Sequence, residues 1–197
     1  LDVLKNHDKY IPMIYVTNNE TLIKNFKQEL LKLTPWIQTH LRSSPNEKIN
    51  TFFRKFRFYF TTFGSFEKDI IQKIPVSYLK KVFIVLDEAH HLVTKYMKNY
   101  DKISRFLKTI PERKLMVMTA TPMRDDSIEL IYLLNLVLPI PFPTGQEFVQ
   151  EYLNVHKNNE IDQYSWKYGK DVEFRQKIKG YVSVFRQKIE NVAIQYT

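Results

Sequence analysis

Two adjacent carboxylates, Asp87 and Glu88, have the setting in this sequence that best suits catalysis. The segment before them, Val82–Leu86, contains only apolar residues, which is typical of a strand buried on both faces of a parallel sheet. Because ionised carboxylates are costly to bury, we expect them at the edge where the strand ends. Ligands bind at that edge in open α/β sheets, where an acid pair can hold a divalent cation and orient a water for nucleoside triphosphate hydrolysis.

A second apolar segment, Leu115–Met118, also runs into small polar residues, Thr119–Ala120–Thr121–Pro122. The intervening residues 91–111 have the right length for one crossover helix with its loops. We therefore predict two parallel strands that deliver polar side chains to one site at the same edge of the sheet.

The strings Asp-Glu-Ala-His at residues 87–90 and Thr-Ala-Thr-Pro at residues 119–122 resemble motifs II and III of superfamily 2 helicases and nucleic-acid-dependent ATPases. The alternative is a chance match, with Asp87 and Glu88 capping the helix that follows. Each string follows a predicted buried strand and one helix separates them, which favours the resemblance over chance.

This resemblance implies an ATP-driven motor on nucleic acid, with ATP and Mg²⁺ as cofactors. By motif position, Asp87 would hold Mg²⁺ through water, and Glu88 would orient and deprotonate the attacking water. Both residues and His90 would line the nucleotide site. His90, Thr119 and Thr121 would couple the nucleotide state to the nucleic acid.

Two further strings resemble the family's nucleic-acid motifs. Residues 15–19 lie at the end of a predicted strand, Ile11–Thr17, and resemble motif Ia, which implies that Thr17 and Asn18 contact the nucleic-acid backbone. Residues 61–64 resemble motif Ib, which implies phosphate contacts by Thr61 and Thr62. An ordinary strand, turn and helix cap, formed by Asn18 or Asn19, remains the alternative for the first string.

The segment Thr51–Phe60 alternates between aromatic and basic residues and predicts a half-buried strand near a sheet edge. Its interleaved charges and rings would suit a single nucleic-acid strand, but solvated edge residues are the favoured interpretation. One helix is predicted between the Asn18 or Asn19 cap and Thr34–Pro35, and a second at Ser65–Ile74. A third is predicted from Leu92 to Leu107, with an interruption near Asn99–Asp101, and His91 is expected to serve local structure only.

The sequence has 197 residues, 44% of them hydrophobic, a formal charge of +9 and no cysteine. Disulfides and cysteine–histidine zinc sites are therefore excluded, and no apolar run is long enough to span a bilayer. The positive charge favours a nucleic-acid partner, with DNA favoured over RNA. We expect an intracellular protein, in the cytoplasm or in a viral factory or virion, with the nucleus left open.

No phosphate-binding loop is present, because none of Gly64, Gly145, Gly169 and Gly180 belongs to a G-x-x-x-x-G-K-[ST] pattern. We expect this sequence to be a fragment whose loop lies upstream of Leu1. The full-length protein would be an ATP hydrolase, and the fragment alone would be inactive.

The predicted architecture is α/β, a mainly parallel sheet flanked by helices, in the form of a RecA-like helicase domain that lacks its phosphate-loop strand. Residues 1–138 would form most of the first RecA-like domain, 139–177 a connector, and 178–197 the start of the second domain. An apolar helix capped by Asp125 or Asp126 would precede a proline-rich connector. Short helices are predicted at Gln146–Leu153 and around Phe174–Lys179.

The closing stretch, residues 178–186, resembles the entry to the second motor domain in helicases of large DNA viruses, such as the poxvirus nucleoside triphosphatase and the early transcription factor small subunit. The predicted function is therefore a helicase in viral transcription or replication. A translocase or transcription-factor subunit that never separates strands remains an alternative, as does a non-catalytic binding module. The intact Asp87 and Glu88 argue against the last.

Overall fold

A four-stranded parallel sheet lies at the centre of the fold in the computed structural model, which describes residues 13–33, 58–79, 82–93, 100–123, 128–156 and 163–184. The strands lie in the order β2-β1-β3-β4, and every neighbouring pair is parallel. They are β1 (Met13–Thr17), β2 (Phe58–Thr62), β3 (Phe83–Leu86) and β4 (Lys114–Val117). The predicted α/β class with a mainly parallel sheet is confirmed.

Strands β1 and β3 form the buried centre of the sheet. Their successive side chains enter two apolar cores, one on each face: Ile14, Val16, Ile84 and Leu86 in one, and Met13, Tyr15 and Val85 in the other. This burial on both faces explains why both segments lack polar residues until the strands end.

The two edges of the described sheet are β2 and β4. Phe58 and Phe60 of β2 are buried, as the alternation predicts, while residues 51–57 of the predicted strand lie outside the described residues. The prediction that β4 is buried throughout is wrong, because Lys114 is exposed and the Met116 side chain is 47% exposed. Apolar composition alone did not reveal that β4 has only one neighbouring strand in the described sheet.

Helix α1, Glu20–Leu33, covers one face of this sheet. The Asn19 side chain caps it by accepting a hydrogen bond from the Leu22 N–H at 3.1 Å. Its predicted apolar face packs on the sheet through Ile23, whereas Leu33, predicted on the same face, is exposed at the end of the helix.

The other helical elements of the first compact unit, residues 1–144, are α2 (Phe63–Phe66), a π-helical continuation (Glu67–Ile71), 3-10 turns at Val76–Leu79 and Ala89–Leu92, α3 (Tyr100–Thr109) and α4 (Glu129–Val137). A helix from Leu92 to Leu107 with an interruption near Asn99–Asp101 is predicted. The structure has a 3-10 turn that ends at Leu92 and a separate α3 that begins at Tyr100, and residues 94–99 lie outside the described part. Asp125 and Asp126, the predicted caps of α4, also lie outside it.

The buried side-chain amide of Asn135 forms two hydrogen bonds with the segment that follows α4. Asn135 donates through Nδ2 to the Phe142 carbonyl at 2.9 Å and accepts the Phe142 N–H at 2.7 Å. The proline-rich stretch predicted as a connector is therefore hydrogen-bonded to the helix before it, which sequence composition does not indicate.

A second compact unit comprises residues 145–197. Its described elements are α5 (Gln146–Tyr152), β5 (Leu153–His156), β6 (Gln163–Trp166) and α6 (Lys170–Ile178), with β5 and β6 paired antiparallel. Both predicted helices are present. The hairpin of β5 and β6 is not among the predicted elements, since each of its strands has only four residues. The predicted domain boundaries remain predictions.

None of the helices in the described ranges has the length and apolar character of a membrane span.

Candidate functional site

The four parallel strands end at one edge, and each predicted motif lies there. Thr62 ends β2 and Thr17 ends β1, directly opposite each other in the register. Asp87 follows β3, and Thr119 follows β4 by two residues. Neighbouring strands, whose paired residues are 31 to 70 residues apart in sequence, thus bring their polar ends to one line because all of them run parallel.

Asp87 is fixed at this edge by three hydrogen bonds. Its backbone N–H extends the β1–β3 ladder by donating to the Val16 carbonyl at 2.8 Å. Its Oδ1 atom accepts the Glu88 N–H at 3.0 Å, and its Oδ2 atom accepts a hydrogen bond from the Tyr15 hydroxyl. The carboxylate is half-buried, so it remains accessible from the edge.

Glu88 adopts a left-handed backbone conformation, with φ 54° and ψ 43°. It is the only non-glycine residue with positive φ among those described. The glutamate side chain makes the left-handed backbone conformation unfavourable, so the surrounding contacts must stabilise this conformation. Backbone strain of this type concentrates at functional sites. The turn redirects the chain at once, and the next N–H, of Ala89, donates to the Met118 carbonyl at 3.0 Å.

The buried His90 ring joins the two predicted motifs. Its Nδ1 atom lies 3.2 Å from Glu88 Oε2 and 2.8 Å from the Thr119 hydroxyl oxygen. A proton on Nδ1 would satisfy both acceptors, whereas a bare Nδ1 lone pair would face the negative Glu88 carboxylate. The geometry therefore favours the tautomer with the proton on Nδ1.

Thr119 and Thr121 contribute differently to this junction. The Thr119 hydroxyl contacts His90 and also accepts the Thr121 backbone N–H at 3.1 Å. Thr121 is exposed, and its hydrogen bond to Thr119 is made by its backbone N–H. Of the two threonines, Thr119 is therefore the one whose side chain meets the histidine.

The four residues predicted to contact nucleic acid differ in accessibility. Thr17 and Thr61 are buried, Thr62 is half-buried and Asn18 is exposed. Thr62 caps α2, since its hydroxyl accepts the Ser65 N–H at 3.3 Å, and it lies at the end of β2 rather than in a following loop. Of these four residues, only Asn18 and Thr62 offer side chains to a ligand at the edge in this conformation.

Tyr15 and His91, for which the sequence predicts no role in the chemistry, belong to the site. Tyr15 binds Asp87, as described above. The Asn18 side chain donates to His91 Nε2 at 3.0 Å, and the His91 ring centroid lies 4.1 Å from that of His90. Neither contact can be found from sequence spacing, because each partner pair is more than 70 residues apart.

The chemistry of this edge fits a Mg²⁺ ion. Mg²⁺ prefers hard oxygen ligands and is commonly bound by one or two carboxylates together with water and substrate phosphates. Asp87 offers a half-buried carboxylate whose two oxygens have each accepted one hydrogen bond, which leaves lone pairs available. The described residues contain no group of three or more acidic, histidine or cysteine side chains that would form an all-protein metal cage.

The profile of the DEAD/DEAH box helicase family matches residues 1–129. The chain is 28% identical over 132 residues to a candidate ATP-dependent RNA helicase of Acanthamoeba polyphaga mimivirus, a match covering 65% of this chain and 22% of that protein. It is 29% identical over 145 residues to a candidate ATP-dependent RNA helicase of Heliothis virescens ascovirus 3e, covering 71% and 15%. The predicted resemblance to helicases, including viral ones, is confirmed.

Among cellular proteins, the ISWI chromatin-remodelling complex ATPase of Saccharomyces cerevisiae is 26% identical over 141 residues, covering 70% of this chain and 12% of that protein. The Sulfolobus solfataricus SWI2/SNF2 ATPase core, solved in complex with double-stranded DNA, superposes with a TM-score of 0.53 at 20% identity, covering 77% of this chain and 30% of that one. The Pyrococcus furiosus Hef helicase domain gives 0.51 at 17%, covering 75% and 32%. These similarities show the RecA-like fold.

Proposed function

The chain belongs to the DEAD/DEAH box helicase family, and from this premise we propose that it is part of a motor that couples Mg²⁺-dependent ATP hydrolysis to movement on nucleic acid. It spans only 22% and 15% of the length of the two viral relatives. The proposal therefore concerns the full-length protein, to which a phosphate-binding loop and the second motor domain would belong.

The observation that supports this proposal best is the contact of one histidine with both predicted motifs. His90 Nδ1 lies within hydrogen-bond distance of the Thr119 hydroxyl and within ion-pair distance of the Glu88 carboxylate. A movement of the end of β4 would therefore be transmitted to Glu88 through a single side chain, that of His90. This is the arrangement that a coupled motor needs, because hydrolysis must respond to the bound track.

In the proposed reaction, Glu88 would orient the attacking water and accept its proton, and Asp87 would hold Mg²⁺. Mg²⁺ supplies neutralisation of the phosphate charge that develops during phosphoryl transfer. Glu88 is suited to the role of base because it lies beside the cation-binding carboxylate yet points toward a different partner, His90. His90, Thr119 and Thr121 would transmit the nucleotide state.

The nucleic-acid track would lie along the ends of β1 and β2, with Thr17, Asn18, Thr61 and Thr62. Asn18 would report occupancy of the track, because its amide contacts His91, whose ring lies at a tilt against that of His90. We propose DNA rather than RNA as the track, and a role in viral transcription or replication inside the host cell. The formal charge of +9 supports a nucleic-acid track. The viral relatives, which are named as RNA helicases, support the viral role, and the similarity to the chromatin-remodelling ATPase supports DNA.

A second candidate is a translocase that moves along duplex DNA without separating strands. The similarity to the ISWI remodelling ATPase favours it. The two candidates share the hydrolysis site and differ only in the output of the motor.

The test uses the full-length protein. ATP hydrolysis is measured with and without Mg²⁺, and with single-stranded DNA, duplex DNA and RNA of equal length. Displacement of a labelled strand from a duplex then reports unwinding, and displacement of a third strand from a triplex reports translocation alone. Hydrolysis that no nucleic acid stimulates would refute the motor, whereas triplex displacement without duplex unwinding would select the translocase.

A further inference from the structure

Tyr15 of β1 contacts the carboxylate that the proposed function assigns to Mg²⁺. The residue lies opposite Val85 in the central strand pair, and its side chain is only 2% exposed. Its hydroxyl donates to Asp87 Oδ2, across 72 residues of sequence. Oδ1 of the same carboxylate accepts the N–H of the next residue, Glu88. One carboxylate oxygen is therefore bound by the adjacent residue and the other by the neighbouring strand.

The ring of Tyr15 is fixed by aromatic packing. It stacks on Phe26 of α1 with a centroid separation of 4.1 Å and an interplanar angle of 14°, and it makes a tilted contact with Phe60 of β2 at 6.0 Å. A buried aromatic ring packed on two sides has little freedom about its two side-chain torsions. The position of the hydroxyl is therefore set by the core and not by Asp87.

The hydroxyl acts as a donor in this contact. An ionised Asp87 carboxylate can only accept hydrogen bonds, so the proton of the bond must come from Tyr15. Burial, followed by the neighbouring Asp87, raises the pKa of Tyr15 well above its ordinary value, which keeps the phenol protonated.

We propose that Tyr15 is a positioning residue that holds the Asp87 carboxylate in one orientation for Mg²⁺–nucleotide binding. This inference rests on the proposed function. Groups that hydrogen-bond to a metal-binding carboxylate orient it, and their loss typically weakens metal binding or activity by about 10- to 100-fold. Without the phenol, Asp87 would lose one of the two bonds to its side chain and would have to be ordered at the moment of binding.

The matched control is Tyr100, another buried tyrosine of the same compact unit. Its hydroxyl donates to the Tyr132 backbone carbonyl of α4 at 2.8 Å and not to Asp87. Tyr15→Phe and Tyr100→Phe each remove one buried phenol hydroxyl and keep the ring. Any effect on general stability should therefore be similar, and an effect on Mg²⁺ should belong to Tyr15→Phe alone.

The experiment measures binding of a fluorescent ATP analogue to the full-length protein as Mg²⁺ is titrated, together with thermal unfolding. For Tyr15→Phe we expect the Mg²⁺ concentration at half-maximal binding to rise roughly tenfold, with unchanged affinity for the analogue in EDTA. Tyr100→Phe should titrate like the wild type. In an Asp87→Asn background, Tyr15→Phe should have no further effect, because the residue acts through that carboxylate.

If Tyr15→Phe shifts unfolding as Tyr100→Phe does but leaves the Mg²⁺ titration unchanged, Tyr15 is only a packing residue and the inference is overturned. A Tyr15→Met variant repeats the loss of the hydroxyl with a side chain that adapts to the core, in case the first variant folds poorly. If the wild type shows no Mg²⁺-dependent binding, the proposed function fails and this inference fails with it. If the wild type binds the analogue in a Mg²⁺-dependent manner and Asp87→Asn does not, the result for Tyr15→Phe tests the role of Tyr15 alone.

Discussion

The His90 Nδ1 atom lies 2.8 Å from the Thr119 hydroxyl oxygen, which joins the turn after β3 to the end of β4. The same nitrogen lies 3.2 Å from Glu88 Oε2. One buried ring thus connects the proposed general base with the residue that follows the next strand. The distances among these three side chains determine which substitutions should remove hydrolysis and which should only uncouple it.

Glu88→Gln in the full-length protein should abolish most ATP hydrolysis while nucleotide binding persists. The amide retains the size of the side chain and can still accept a hydrogen bond from His90, but it cannot take a proton from water. We expect kcat to fall by roughly 10²- to 10⁴-fold, the usual contribution of a general base. A steady-state ATPase assay with parallel binding of a fluorescent analogue checks this.

The control for that change is Glu147→Gln, an exposed glutamate of α5. It should leave kcat unaltered. Turnover near the wild-type level in Glu88→Gln would show that another group is the base.

Thr119→Ala should uncouple hydrolysis from nucleic acid more than Thr121→Ala does. Only the Thr119 hydroxyl contacts His90 in the structure, whereas Thr121 supplies its backbone N–H, which alanine retains. Basal ATPase should persist at a substantial level, and stimulation by nucleic acid should fall. The measurement is the ratio of stimulated to basal rates for each variant.

Thr119→Ser restores a hydroxyl at the same position and should recover most of the stimulation. An equal fall of the basal and stimulated rates in Thr119→Ala, with unfolding unchanged, would contradict a coupling role for this residue.

Asn18→Ala combined with Thr62→Ala should weaken nucleic-acid binding in the absence of ATP. These are the two accessible members of the predicted track, so each lost hydrogen bond should reduce the binding free energy by about 0.5–1.5 kcal/mol. Because the contacts are to the backbone, the loss should be similar for different base sequences. Binding to labelled single strands over a range of salt concentrations tests this.

Two controls accompany the binding measurement. Thermal unfolding of the Thr62→Ala variant measures the roughly 1 kcal/mol expected for loss of the α2 N-cap and separates it from an effect on binding. Lys24→Gln removes an exposed charge from α1 and should lower affinity mainly at low salt. Were the Lys24 variant to lose more affinity than the double variant, diffuse charge would account for binding.

Asn135→Ala should destabilise the protein by roughly 1–3 kcal/mol, because it removes both partners of the Phe142 backbone in a buried site. Asn135→Asp keeps the acceptor for the Phe142 N–H but places a carboxylate beside the Phe142 carbonyl, so it should also destabilise. Urea unfolding measures both. Stability within about 0.5 kcal/mol of wild type would mean that the proline-rich segment is not fixed by this amide.

The sequence by itself determined the local features of the site. The unbroken apolar segment at β3 predicted a strand buried on both faces, because no polar residue is tolerated there. The carboxylates had to follow the end of such a strand, since burial of their charge is unfavourable. Motif spacing then indicated the helicase family, which the family profile confirms.

Only the tertiary structure decided which distant residues meet. The position of β1 between β2 and β3 places Tyr15 against Asp87, and Asn18 against His91. Strand order and register determine these contacts, and a pattern of apolar residues specifies neither, because many orders would bury the same side chains. The edge position of β4 and the burial of Thr17 depend in the same way on neighbours supplied by other parts of the chain.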